Sequence, residues 1–246
     1  MADPDPAIGT SPNPGRSNLA LRVISSAVLA PLAILVAWFG GAAFVAFWTI
    51  AASIVLWEWT GLIKGEVAPR TLGAFAGWMV VGLIYAGVLL LAPILLRGDP
   101  ALGFPALLFL FAIVWMTDIA AYFAGRAIGG PKLWPAVSPK KTWSGAIGGA
   151  LAGVAAGLAV VKLTGLAVAP MLVIVALALS AAAQIGDLIE SAIKRHFGAK
   201  DASQLIPGHG GLMDRLDGFL TAAAAAVMVG LARGGLEGPA RGLLVW

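Results

Sequence analysis

Seven long apolar stretches follow one another along the chain, separated by turn-forming or charged residues. A helix needs about 20 apolar residues to cross about 30 Å of hydrocarbon, and most of the stretches reach that length. They cover residues 23–39, 42–63, 72–96, 104–124, 143–161, 168–187 and 213–232. The pattern therefore predicts an all-α fold, a polytopic transmembrane helical bundle of about seven spans.

The composition supports a membrane protein. The chain is 60% hydrophobic and 11% charged, whereas soluble domains are about 25% charged. It contains no cysteine, which excludes disulfides, zinc–thiolate sites and a cysteine nucleophile. The net charge of +4 is attributed to basic loops on the cytoplasmic side, so no nucleic-acid partner is expected.

The basic residues indicate an orientation. They follow the second, fourth and sixth stretches, and all three loops fall on one side if 72–96 is a single span. The positive-inside rule makes that side cytoplasmic. Residues 1–20, rich in Pro, Asp, Gly and Ser, are predicted to be a disordered tail. Residues 21–100 then form the N-terminal membrane helices, and 101–246 form the catalytic ones, within one membrane domain.

One group of charges lies at the end of the sixth stretch. Asp187, Glu190, Ser191 and Lys194 are spaced i, i+3, i+4 and i+7, so they share a helical face. Charged groups at membrane depth are expensive and usually functional. The alternative is an interfacial helix end with an internal Glu190–Lys194 ion pair, but that pair does not explain Asp187.

A second group is the glycine-rich stretch 207–211, followed by Asp214, Arg215 and Asp217. A helix beginning after the glycines would point free N–H groups at an anion. Asp214 and Asp217 are three residues apart and are suited to Mg²⁺; the alternative is helix capping. For His209, phosphate contact, loop packing and proton transfer all remain open.

A third group combines Asp118, Tyr122 and Arg126, at successive i+4 positions, with the segment 138–142. The hydroxyls and lysines of that segment suit a triphosphate or a lipid phosphate. A positive-inside anchor is the alternative, although it leaves Asp118 unexplained. Glu58, near the end of its stretch, is expected to reach the interface or to pair with a loop lysine.

These residues resemble the signature of the phosphatidate cytidylyltransferases (CDP-diacylglycerol synthases). The matching run is Ser191, Lys194, Arg195, Lys200, Asp201, Ser203, Ile206, Pro207, His209, Gly210, Gly211, Asp214, Arg215, Leu216 and Asp217. Segments 118–126 and 138–143 are also similar, and the resemblance covers about 111–220. It implies that CTP and phosphatidic acid give CDP-diacylglycerol and pyrophosphate. It further implies Mg²⁺, with K⁺ as an option for a second cation, and a homodimer in the bacterial inner membrane with a polar pocket facing the cytoplasm.

The resemblance implies roles for individual residues. Asp187 and Asp214 match metal-binding carboxylates, with Asp217 and Glu190 close by. The predicted catalytic residues are Asp187, Lys194, Arg195, Lys200, Asp201, His209, Asp214 and Asp217. The predicted substrate-binding residues are Asp118, Tyr122, Arg126, Ser138, Lys140, Lys141, Thr142, Ser191, Gly210, Gly211 and Arg215.

Two rival functions remain from the sequence. One is a CTP-dependent kinase of polyprenol or phytol-type lipid alcohols, which the long signature disfavours. The other is a secondary transporter with its carboxylates as ion-coupling sites. No matching pair of interrupted segments supports a transporter, and the charges gather on one face instead of at a midplane.

Overall fold

The computed structural model describes residues 14–206 and 210–246, with side chains described from Ala27 onward. Within these ranges the chain forms eight helices and one two-stranded hairpin. The helices are α1 Pro14–Phe39, α2 Gly41–Ile63, α3 Leu72–Arg97, α4 Gly103–Ile128, α5 Trp143–Leu163, α6 Pro170–His196, α7 Met213–Gly234 and α8 Pro239–Leu244. Antiparallel strands β1 Lys132–Trp134 and β2 Ser138–Thr142 lie between α4 and α5. The predicted helical bundle is confirmed.

Six helices, α2 to α7, are long and apolar enough to cross a membrane by their length and composition. Stretch 72–96 is one helix, as predicted. Helix α1 is apolar over Ala27–Phe39, and its role as a seventh span stays a prediction. Because α1 begins at Pro14, it includes residues 14–20, which composition had assigned to the tail. Residues 1–13 lie outside the described part.

Glycines allow α4 and α5 to pack at very short range. A Cβ atom at Gly149 would lie 2.6 Å from the carbonyl oxygen of Thr117, and one at Gly145 would lie 2.8 Å from that of Ala121. Small residues at helix contacts let backbones approach. The close contact fixes the C-terminal half of α4 beside the start of α5.

Helices α6 and α7 pack antiparallel by the same means. A Cβ atom at Gly186 would lie 2.8 Å from the carbonyl oxygen of Asp217, and one at Gly218 would lie 3.1 Å from that of Ala183. The end of α6 therefore lies against the beginning of α7. Helix α2 joins this pair through Trp48, which stacks on Phe219 with ring centroids 5.1 Å apart.

These contacts gather one set of helix termini at the same end of the bundle. Helices α2, α4 and α6 end there, and α3, α5 and α7 begin there. We call this the polar end. At the opposite end, the Arg97 side chain donates hydrogen bonds to the carbonyl oxygens of Ala37 and Trp38, which closes α1 against α3.

Candidate active site

Asp214, at the first turn of α7, accepts hydrogen bonds from three groups at the polar end. It is buried, and its carboxyl accepts a 2.5 Å hydrogen bond from Lys194 Nζ. It also accepts the backbone N–H groups of Ala202, at 3.0 Å, and Gly211, at 2.8 Å. Asp214 thus joins α6, α7 and the α6–α7 loop (residues 197–212).

Glu58 of α2 also accepts hydrogen bonds from the α6–α7 loop and from the start of α7. The sequence did not identify it as a residue of the site. It is 1% exposed. Its Oε1 accepts the Ser203 hydroxyl at 2.6 Å and the Leu212 N–H at 2.8 Å, and its Oε2 accepts the Met213 N–H at 2.6 Å. The expectation that Glu58 reaches the interface or pairs with a lysine is wrong, because backbone amides and a hydroxyl of the protein interior surround it.

The beginning of α7 also differs from the prediction of free N–H groups aimed at an anion. The N–H of Gly211 is bound by Asp214, and those of Leu212 and Met213 are bound by Glu58. Three amides at this terminus are therefore already satisfied by carboxylates of the protein. The alternative of helix capping is therefore correct for Asp214. The second capping acceptor is Glu58, which belongs to a helix distant in sequence.

Asp187 lies nearer to solvent than Asp214 and forms an ion pair with Lys141 of β2. About a third of each side chain remains exposed, 31% for Asp187 and 29% for Lys141. Ser191, one turn further along α6, directs its hydroxyl at Asp187 Oδ1 over 3.4 Å. The predicted face of α6 is therefore present, and the hairpin supplies its cation.

Further carboxyls lie beside this pair. Glu190 is 1% exposed, and neither of its oxygens has a hydrogen-bond partner among the described residues; its nearest cation is Lys194 Nζ, 3.2 Å from Oε1. Asp217 lies next to Glu190, and its Oδ1 accepts the Gly218 N–H at 2.6 Å. Asp118 of α4, which keeps exposed surface, lies within electrostatic range of Asp217 and Asp187.

The hairpin and the end of α4 border this group. Thr142 is buried and caps α5, because its Oγ1 accepts the Gly145 N–H at 3.1 Å. Tyr122 and Arg126 are exposed and hydrogen-bonded to each other at 3.1 Å. Lys140 is exposed, whereas Ser138 is half-buried. Of this segment, Lys141 makes the direct contact with the acidic group.

The remaining predicted residues are placed around the loop. Arg195, Lys200, Asp201 and Arg215 are exposed, and Arg195 donates to the carbonyl oxygen of Ala199 at 2.9 Å. Gly210 has φ +82°, and a Cβ atom there would lie 2.9 Å from Asp214 Oδ2. His209, with Pro207 and Gly208, lies outside the described residues.

A weak signal for Glu58 was present in the sequence. Ala51, Val55, Glu58 and Leu62 are spaced at three or four residues, and all four are buried. They form the inner stripe of α2. Since nearly every face of this helix is apolar, the sequence did not reveal which stripe faces inward.

A helical bundle with six membrane-length helices and a charged site at one end defines a multi-pass membrane protein. A family model described as the cytidylyltransferase family matches residues 62–232. The chain belongs to this family, and it is accordingly a nucleotidyltransferase.

Two relatives show how far the similarity extends. A Brucella suis (biovar 1, strain 1330) protein named phosphatidate cytidylyltransferase is 43% identical over 253 residues, covering 87% of this chain and 94% of that protein. A Staphylococcus saprophyticus protein of the same name is 37% identical over 172 residues, covering 70% of this chain and 64% of that protein. The similarity therefore extends beyond residues 111–220, to which the motif resemblance was confined.

The carboxyl oxygens of the site fit a hard cation such as Mg²⁺ chemically. Glu190 has two buried oxygens that accept no hydrogen bond from the described residues, although Lys194 forms an ion pair with it, and Asp217 lies beside it. Within residues 14–206 and 210–246, no three acidic or histidine side chains converge as they stand into a group able to hold a metal. Mg²⁺ commonly takes one or two carboxylates together with substrate phosphates, and the carboxyls of Glu190 and Asp217 are two such groups side by side.

Proposed function

We propose that this chain is a phosphatidate cytidylyltransferase, which converts CTP and phosphatidic acid into CDP-diacylglycerol and pyrophosphate. The relatives with this name support the assignment. The observation that carries it is the Asp187–Lys141 ion pair at the polar end, near the two neighbouring carboxyls Glu190 and Asp217. Carboxyls for a cation and lysines for phosphates are the groups that phosphoryl-type transfer requires.

In the proposed reaction, a phosphate oxygen of phosphatidic acid forms a bond to the α-phosphorus of CTP. The bond between the α-phosphorus and the bridging oxygen to the β-phosphorus breaks, and its electron pair leaves with pyrophosphate. The attacking group is already an oxyanion, so no covalent enzyme intermediate is needed. The protein contributes orientation and charge neutralisation.

The two lysines have different positions in this scheme. Lys141 is partly exposed and paired with Asp187, so it exchanges this partner for a phosphate oxygen when substrate binds. Lys194 is buried between Glu190 and Asp214, and it keeps those two carboxyls in place. Arg195, Lys200 and Arg215, exposed around the loop, reduce the repulsion between the two anionic substrates.

Glu190 and Asp217 are the residues that would hold Mg²⁺, with Asp187 able to join them after leaving Lys141. When bound, Mg²⁺ supplies neutralisation of phosphate charge and stabilises the leaving pyrophosphate. A second cation such as K⁺ is part of the same proposal. Lys140 and Ser138, on the strand beside Lys141, complete the proposed phosphate-binding edge.

The proposed location is the bacterial inner membrane, with the polar end toward the cytoplasm. The loops at the polar end carry Lys64, Arg70, Lys132, Lys140, Lys141 and Lys200, which agrees with the positive-inside rule. A water-soluble nucleotide and a lipid headgroup meet at such an interface. We further propose that the enzyme works as a homodimer.

The test uses purified protein in liposomes with Mg²⁺, phosphatidic acid and CTP labelled at the α-phosphorus. Label entering the lipid phase together with pyrophosphate release is expected. In a parallel reaction with CTP labelled at the γ-phosphorus, label entering the lipid would indicate the lipid-alcohol kinase instead. Asp187→Asn should reduce transfer strongly, whereas Glu237→Gln, an exposed carboxyl beyond α7, should not. Folded protein that transfers no label from CTP to phosphatidic acid would refute the proposal.

A further inference from the structure

Glu58 is a buried carboxyl for which the proposed chemistry has no direct use. It lies just outside the region 62–232 that the family model matches. We infer that Glu58 is a positioning residue, which holds the α6–α7 loop and the first turn of α7 so that Asp214 keeps its pair with Lys194 and Asp217 stays beside Glu190. The inference rests on the proposed function, since it assigns Glu58 an effect on that reaction.

Glu58 joins the two ends of one loop segment. Ser203 at the beginning of the segment and Leu212 at its end both donate to Oε1, while Met213 donates to Oε2. Between them, Ile206 and Gly210 form a two-way backbone bridge, with N···O distances of 2.8 and 3.1 Å. A single side chain of α2 therefore links Ser203 to Leu212 and Met213.

The loop is held between two carboxyls. A Cβ atom at Gly211 would lie 2.7 Å from Glu58 Oε1 and 3.1 Å from Asp214 Oδ2. A side chain at this position would therefore displace Glu58 or Asp214, because the backbone lies directly between the two acids. A displacement on the Glu58 side is transmitted through Gly211 to Asp214, whose Oδ2 binds the Gly211 N–H.

Both oxygens of Glu58 accept hydrogen bonds from the loop and from α7, and the side chain is 1% exposed, so Glu58 is not placed to contact a substrate. Its negative charge is stabilised by N–H groups at the beginning of a helix, where the helix dipole favours an anion. Glu58→Gln is consequently the sharpest perturbation. Glutamine keeps the size of the side chain but replaces one carboxylate oxygen by an NH₂ group. That NH₂ group would face an N–H or O–H donor of the loop or of α7.

The experiment compares Glu58→Gln, Ser203→Ala and the double variant in the full-length protein. We expect Glu58→Gln to lower kcat by about 100-fold, in the range for a small misplacement of catalytic groups, with a much smaller change in the KM for CTP. Hydrogen exchange should accelerate in peptides spanning 203–213 but not in the hairpin 129–142. Ser203→Ala should lower kcat several-fold in the wild-type background and add little to Glu58→Gln, because both act through the same segment.

Glu237→Gln serves as the matched control and should change neither kcat nor exchange at 203–213. Folded Glu58→Gln with wild-type kcat, unchanged exchange at 203–213, or fully additive effects of the two substitutions would overturn the inference. If Glu58→Gln does not fold, Ser203→Ala decides alone: wild-type kcat with wild-type exchange at 203–213 would overturn it. If the wild-type protein transfers no cytidylyl group, the proposed function fails, while the exchange measurements still test the link between Glu58 and the loop.

Discussion

Replacing Lys194 by methionine should destabilise the bundle strongly, because it removes a cation that two buried carboxyls share. The side chains of Lys194, Glu190 and Asp214 are 10%, 1% and 4% exposed, so solvent screening is weak. Removing one partner of a buried ion pair costs about 3–5 kcal/mol. Asp214 retains two backbone N–H donors, whereas Glu190 retains none among the described residues; most of the loss therefore falls on Glu190.

The measurement is the free energy of unfolding in mixed detergent micelles, determined by denaturant titration, together with the rate of cytidylyl transfer. Adding Glu190→Gln to Lys194→Met should restore part of the lost stability, since it removes the unpaired charge, but it should not restore activity. Lys162→Met, at the end of α5 on the other side of the bundle, is the control. A loss below about 1 kcal/mol for Lys194→Met, the value typical of exposed pairs, would refute this description of the site.

Two further predictions use the same assays. Lys141→Met should reduce stability by less than about 1 kcal/mol, because its pair with Asp187 is about one-third exposed and screened by solvent. The same substitution should raise the KM for CTP. An unchanged KM would remove Lys141 from the phosphate-binding residues. Gly149→Ala should lower the free energy of unfolding by about 1–3 kcal/mol, because the added methyl group overpacks against Thr117. At Gly87 an added Cβ atom would meet open space, so Gly87→Ala should be neutral or stabilising. Equal effects of the two substitutions would contradict the close packing of α4 and α5.

The helices were predictable because their determinants are local. The apolar runs have the length of a membrane span, and Thr71 and Thr142 each cap the helix that follows them. The charged face of α6 was also predictable, since helical periodicity alone places Asp187 and Glu190 on one side. These inferences need only the spacing of residues within one element.

The contacts between elements were not predictable in the same way. Periodicity identified the face of α6 that carries Asp187, but not that Lys141 of the hairpin would be its partner. The glycine-rich stretch suggested open N–H groups at the beginning of α7, and this was wrong because Glu58, from a helix about 150 residues earlier, binds those of Leu212 and Met213. The acceptor for a helix terminus is a tertiary property, and a helix that is apolar on nearly every side does not show which stripe is buried.

Lys141 and Lys194 differ in exposure, and we expect them to differ in function. The more exposed Lys141 responds to substrate, whereas the buried Lys194 holds the site together. As it stands, the site neutralises itself, since Lys141 pairs with Asp187 and Lys194 pairs with Asp214 and Glu190. A polyanionic nucleotide must therefore compete with a carboxylate for any lysine that it binds. That competition favours the nucleotide at Lys141, where water already weakens the pair, and disfavours it at Lys194, where losing the cation leaves buried charge uncompensated. We accordingly expect Lys141→Met to affect mainly the KM for CTP and Lys194→Met to affect stability and kcat together; the reverse pattern would mean that the buried lysine, and not the exposed one, binds the substrate phosphates.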